Sequence, residues 1–200
     1  MRLGVDVSEH QPSFDFTGFD FAILRTTDGT YQDRAFTEHF ARARSAGIAD
    51  IATYHYLRAP SEGTTITEQV EAAHSAVGEL RLPVWLDVES PQGLSLIDVS
   101  SAHSHFTQRG FEVAGIYTSA NYWRRHMLLA DVRQFGALWL ADWRDNPRVD
   151  APSAIPEGLS DPANWPRPFG FPEPVVWQFT SRGFVDGPNG PIDVDLNLAR

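Results

Sequence analysis

The sequence predicts an α/β fold: an irregular, TIM-like (β/α) barrel of eight strands, with helices depleted in the second half. Three observations carry this. Short apolar runs with strand parity recur along the whole chain. In the first half they alternate with segments of helical spacing, the signature of parallel α/β architecture. Acids stand at the ends of several runs, where barrels of this class keep their chemistry.

The first strand is residues 3–8, with Asp6 and Ser8 on one face. The second is 21–27, closed by the turn residues Thr27-Asp28-Gly29. Residues 35–46 have helical spacing through Phe36, His39 or Phe40, and Ala43, and Gly47 is a natural stop. The third strand, 48–57, contains Tyr54-His55-Tyr56. Thr65 and Glu68 read as a capping box for a helix with Ile66, Val70, Ala73 and Val77 on one stripe. The fourth strand, 82–90, ends in Asp87 and Glu89. Asp98 or Ser95 caps a third helix through Val99, Ala102 and Phe106, which stops at Gly110. The fifth strand is 111–118.

Beyond this the pattern changes. Residues 121–127 and 131–135 support short helices only, and 138–143 is a sixth strand. Residues 144–174 hold eight prolines, which predicts a long ordered loop with Trp165, Phe169 and Phe171 packed on the body. The last strands, 175–180 and 192–198, are joined by a Gly-rich, hairpin-like turn at 186–190. Two hundred residues without a linker or repeat suit one domain spanning 1–200.

Composition narrows the function classes. With no cysteine, disulfide, thiol-nucleophile and zinc-thiolate chemistry are excluded. A formal charge of −10 makes nucleic acid an unfavourable partner. No apolar run is long enough to span a membrane, and residues 1–8 lack the apolar core of a signal peptide. Six tryptophans and five tyrosines serve core packing first, and sugar stacking second.

Leu86-Asp87-Val88-Glu89 is the most informative stretch. Alternation points both carboxyls the same way, roughly 6.5–7 Å apart along a strand. That suits an acid and an assisting carboxylate around one glycosidic bond. Asp6 from strand one and Asp195 from strand eight converge on the same end. A single strand-end Asp is ordinarily a turn cap. Several at one barrel mouth repel one another unless one is protonated, which is how a general acid is made near neutral pH. A metal site of carboxylate oxygens, with His10 or His55 added, is the competing use of the cluster. Neither histidine falls in a ligand spacing, so no metal or other cofactor is expected.

The ordered set of motifs resembles the glycoside hydrolase family 25 lysozymes, the N-acetylmuramidases of bacteria, fungi and phages. It comprises Gly4-Val5-Asp6-Val7-Ser8 with Gln11, residues 21–29, Tyr54-His55-Tyr56, Leu86-Asp87-Val88-Glu89, and Ile116-Tyr117-Thr118-Ser119. It continues through Leu138-Trp139-Leu140-Ala141, Val176-Trp177-Gln178-Phe179 and Val194-Asp195-Leu196-Asn197. The resemblance implies Glu89 as catalytic acid, Asp87 as its partner, and Asp6 and Asp195 as two further acids. It implies Tyr54, Tyr117 and Trp139 as lining of the sugar groove, with Tyr56, Trp177 and Gln178 expected beside them.

The expected substrate is peptidoglycan, cut at the β-1,4 bond from N-acetylmuramic acid to N-acetylglucosamine. A non-catalytic sugar-binding barrel and a glycosidase acting on chitin are the alternatives. The resemblance leads to the expectation of action on the bacterial wall as a phage endolysin or secreted enzyme. A monomer is the default expectation, no membrane insertion is expected, and, unlike many relatives, no separate wall-binding domain is expected. This chain departs from the family pattern at Arg25, where relatives commonly carry Lys, and in the Pro-rich segment 144–174.

Overall fold

The computed structural model describes residues 1–128, 130–152, 155–187 and 190–200. The sheet strands are β1 (Arg2–Val7), β2 (Phe21–Asp28), β3 (Tyr31–Gln32), β4 (Asp50–Tyr56) and β5 (Val84–Asp87), then β6 (Val113–Ser119), β7 (Ala137–Ala141), β8 (Val149–Asp150), β9 (Val176–Gly187) and β10 (Gly190–Ala199). The helices are α1 (Phe36–Ser45), α2 (Ile66–Val77), α3 (Leu96–Gln108) and α4 (Ala120–Met127). The pairing runs β1-β10-β9-β7-β6-β5-β4-β2, and β2 returns to β1. That closes eight strands into a barrel. The two-residue β3 and β8 sit outside the closed ring, paired to β2 and β9.

Six junctions are parallel, as predicted. The two made by β10 are antiparallel. β10 therefore enters the sheet from the mouth, and its beginning lies beside the ends of the other strands. Asp195, midway along β10, pairs in register with Asp6 near the end of β1.

Each helix forms where local chemistry supports it. Thr65 caps α2 by accepting from the Glu68 amide, and Glu68 reaches back to Thr65. Ser95, one of two predicted alternatives, caps α3 with Asp98 in the reciprocal place. Both helices bury one stripe against the outer barrel wall, where Val70, Ala73, Val99, Ala102 and Phe106 meet Leu86, Val88 and Ile116. After α3, among the described residues, only α4 and two short 3-10 turns follow between β6 and β9.

The second half is covered differently. Trp165, from the Pro-rich segment, packs on Trp177 with ring centroids 5.8 Å apart, and Trp177 packs on Phe179. Val149 and Ala151 join the same cluster. The predicted ordering of this segment is met at Trp165 and at the half-buried Phe171. It fails at Phe169, which is 95% exposed. The Gly-rich turn after β9 includes Pro188 and Asn189, which lie outside the described residues.

The lumen floor is apolar. Phe21, Ile23, Trp85, Val176 and Ala199 fill it with Trp139 and Tyr117 above. Gly4 makes room there, since a Cβ on it would meet the Phe21 ring at 2.5 Å.

Candidate active site

The mouth is built from strand ends. Val88 extends the pairing of β5, its amide donating to the Tyr117 carbonyl at 2.9 Å and its own carbonyl accepting from Thr118 Oγ1. Strand parity thus continues past Asp87 and turns Glu89 inward with it. The turn beyond is pinned twice: Ser90 Oγ donates to Glu62 at 2.5 Å, and Tyr122 OH donates to the Ser90 carbonyl.

A cavity of about 240 Å³ opens at this end. Asp6, Asp87, Glu89 and Asp195 all line it, as do Tyr54, Tyr56, Tyr117, Trp139 and Gln178. The strand order sets β5 across the ring from β10, so Asp87 and Glu89 face the seam that carries Asp6 and Asp195.

Amides tie the seam together. Asp6 Oδ1 accepts from Gln178 Nε2 at 2.9 Å and from Asn197 Nδ2 at 2.6 Å. Gln178 Oε1 accepts in turn from Tyr117 OH and Trp143 Nε1, and Asn197 Oδ1 accepts from Trp139 Nε1 at 2.7 Å. Asp6 is therefore a fixed charge, with its orientation set by two side-chain amides. Asp87 is different. Its Oδ1 is buried and has no hydrogen-bond partner among the described residues.

Burial raises all four carboxyls, and the charges of neighbouring acids add to it at Asp87, Glu89 and Asp195. Burial pushes Asp6 up to about 6 against the hydrogen bonds from Asn197 and Gln178. Burial, then the charge of Asp6, lifts Glu89 to about 7. Asp195 rises to about 8 through burial and the charges of Asp6 and Glu89. Asp87 stands well above the ordinary carboxylate range, chiefly from burial, then from Glu89, Asp6 and Asp28, with Arg25 pulling the other way. Four ionised carboxylates cannot share a site this small, so the mouth holds protons at neutral pH.

Among the described residues, Arg25 is the one arginine lining this cavity, and Asp33 engages it at 2.7 Å with Glu9 at 3.7 Å. Its inward position follows from alternation with Phe21 and Ile23, and a bulge comes directly after it. β2 pairs Arg25 with Tyr54 and then Thr27 with His55, skipping Thr26. Simple alternation would put Thr27 inward beside Arg25. The bulge instead sends Thr27 outward, where its hydroxyl meets His55 Nδ1 at 2.7 Å. His55 is wholly buried there, also bonded to Gln69 and held down to about 4 by burial. It does not reach the acids, whereas His10 lines their cavity.

The family model for glycosyl hydrolases family 25 matches residues 5–188. The chain belongs to glycosyl hydrolases family 25. Lysozyme M1 of Streptomyces globisporus is 28% identical over 211 residues, covering 95% of this chain and 65% of that protein. The chain therefore spans less than two thirds of that relative's length. A solved bacterial lysozyme from Streptomyces coelicolor is 27% identical with a TM-score of 0.70, over 100% of this chain and 92% of that one. The catalytic domain of endolysin ply40, from bacteriophage P40 of Listeria monocytogenes, has the same fold, with a TM-score of 0.71 at 22% identity over 100% and 93% of the two chains.

One predicted position of this family 25 chain is corrected. Trp177 does not line the mouth. It points out of the barrel, is 0% exposed, and donates its indole N–H to the Asp142 carbonyl. Gln178, next in the strand, takes the inward place that alternation denies to Trp177. Trp139 and Tyr117 do line the cavity, yet they are buried beneath it, with rings 4.4 Å apart. They form a floor and offer no open stacking face.

Sequence reasoning missed Trp143. It is 41% exposed, donates to Gln178, and stands on the lip of a second cavity of about 720 Å³ that meets the first at Glu89. Its place just past the end of β7 was the available signal.

Proposed function

We propose that this chain is the catalytic domain of a lysozyme that hydrolyses the β-1,4 bond between N-acetylmuramic acid and N-acetylglucosamine in peptidoglycan. The observation that carries the reading is Glu89 itself. It is half-buried, raised to about 7, and lies where the acid-lined cavity and the larger groove meet. A carboxyl tuned this way keeps its proton near neutrality and presents it to a bound glycosidic oxygen.

The division of labour follows from depth. Glu89 protonates the leaving oxygen. Asp87, sunk below it with an unpartnered Oδ1, accepts from the N–H of the sugar's 2-acetamido group and aims the acetamido oxygen at the anomeric carbon. Residues two apart on one strand stand too far from each other for direct covalent attack, which needs about 5–5.5 Å. Substrate assistance therefore fits better than a glycosyl–enzyme bond and gives retention. Water activation by an acid would give inversion. Asp6 supplies the charge that helps keep the Glu89 proton in place, and Asp195, raised to about 8, stands beside it as a further protonated acid. Tyr54, Tyr56 and Gln178 bound the sugar pocket, over the floor of Tyr117 and Trp139. The site of action is the bacterial wall.

Mass spectrometry of fragments released from defined peptidoglycan tests the bond: new reducing ends should be N-acetylmuramic acid. Parallel digestion of chitin oligomers should be far slower. NMR of the first product anomer decides between retention and inversion. Unchanged wall lysis by Glu89→Gln would refute the enzyme reading.

A further inference from the structure

The larger groove has a chemistry that the cutting of a neutral glycosidic bond does not require. From Glu89 it runs past Asn121 and Trp143 to three arginines: Arg124, Arg144 and Arg167. The chain as a whole carries a formal charge of −10. Three cations on one arm of one groove therefore stand against the net sign of the molecule.

The two arginines nearest in kind are held without being neutralised. Arg124 donates to the Phe169 carbonyl at 2.9 Å and lies over the Phe171 ring. Arg144 donates to the Asn164 carbonyl at 2.5 Å and lies 4.8 Å from the Trp177 ring centre. Neither makes an ion pair among the described residues, whereas Arg167 is paired with Glu173 at 3.1 Å. Carbonyls and ring faces fix each guanidinium while leaving most of its five N–H donors unspent. Pro166 and Pro168 stiffen the wall that carries them. Such a fork is preorganised for a planar oxyanion.

Asp142 also lines this groove, but its Oδ1 accepts from the Arg144 amide rather than from a guanidinium. The arm thus keeps a net positive face beside the acid that delivers the proton.

We propose that this arm is a subsite for the carboxylates of the stem peptide carried on the substrate's lactyl group. The proposal rests on the lysozyme reading, because that reading places a peptide-bearing sugar next to Glu89. The groove's 720 Å³ exceeds what one pyranose needs and leaves room for the first peptide residues. The Pro-rich segment supplies Arg144 and Arg167, so its work is to recognise the branch rather than the backbone of the polymer.

The test uses glycan oligomers with native stem peptides against the same oligomers with the peptide carboxylates converted to amides. Wild type should cleave the native form with kcat/KM about tenfold higher. The double variant Arg124→Gln/Arg144→Gln should lose that preference and match wild type on the amidated form. Arg144→Lys, which keeps charge and stem without the fork, should fall between. Equal losses on both substrates, or none on either, would overturn the subsite and leave the lysozyme reading intact. A loss confined to walls bearing phosphodiester polymers would assign the arm to phosphate and overturn the peptide assignment.

Calorimetric binding of a disaccharide-peptide to Glu89→Gln protein reads the arm without turnover. Affinity should fall about tenfold when both arginines are replaced. Absence of any such fall would sink the proposal, whether or not wild type proves to cleave walls.

Discussion

The two halves of this barrel solve one problem in two ways. From β1 to β6 most crossovers return parallel, and α1, α2 and α3 cover the outside with buried stripes. From β7 onward the chain closes with an antiparallel pair, β9 and β10. A hairpin needs only a few residues, while a parallel return needs a dozen or more and usually a helix. The chain freed by that economy becomes the segment 144–174, which seals the wall with Trp165 and turns its arginines toward the groove. The first half delivers Asp87 and Glu89. The second delivers Asp195 and the amides that hold Asp6. A fold can give up helices where it gains groove.

The sharpest test of that division is Glu89→Gln. It keeps shape and removes the proton, so wall hydrolysis should fall by about 10²–10⁴-fold with folding unchanged. Gln178→Ala, from the other half, should cost less, because it loosens Asp6 without touching the donor. Kinetics on purified peptidoglycan compares the two, and parity between them would erase the distinction.

The covers can be compared by stability. Leu86→Ala beneath the helices should cost about 2–5 kcal/mol, and Trp177→Ala beneath the Pro-rich cover about 3–5 kcal/mol. Urea unfolding measures both. A cost for Trp177→Ala of less than about 1 kcal/mol would mean that the second half is only loosely sealed.

Asp195→Asn probes the seam through pH. A carboxyl raised to about 8 in the fold contributes stability below its unfolded value near 4, and loses it as pH rises through 8. The variant should therefore match wild type at pH 4 and melt about 3 °C or more higher at pH 9, by calorimetry. The smallest expected effect is that of Asp6→Asn. It removes the charge that helps hold Glu89 at about 7, so the alkaline limb of the activity profile should move down by about half a unit. A limb that moved upward would contradict the field assigned to Asp6.

Local chemistry made much of this legible. The Thr65/Glu68 and Ser95/Asp98 boxes and the inward parity of Asp87 and Glu89 are short-range facts, and the structure keeps them. Where long-range pairing intervenes, the pattern misleads. The Thr26 bulge reverses the face of β2 next to Arg25. Trp177 carries the look of a sugar-binding aromatic, but inside or outside is settled by register, and register gives the lumen to Gln178. Trp139 faces the right way, and only packing shows that Tyr117 and the amide network bury it.

The sequence by itself determined the alternation of strands and helices, the strand that ends in two acids, and the supply of further acids from the first and last strands. Periodicity and caps are written within a few residues, and the physics acting on them is local. The hairpin-like turn already implied that the last strand runs against its neighbour. Tertiary structure alone decided the pairing of β10 with β1 and the register that brings Asp195 against Asp6. It alone decided how many protons the mouth must keep, because burial and repulsion depend on neighbours far away in the chain. It also gathered Arg124, Arg144 and Arg167 into one arm, which no spacing in the sequence announces.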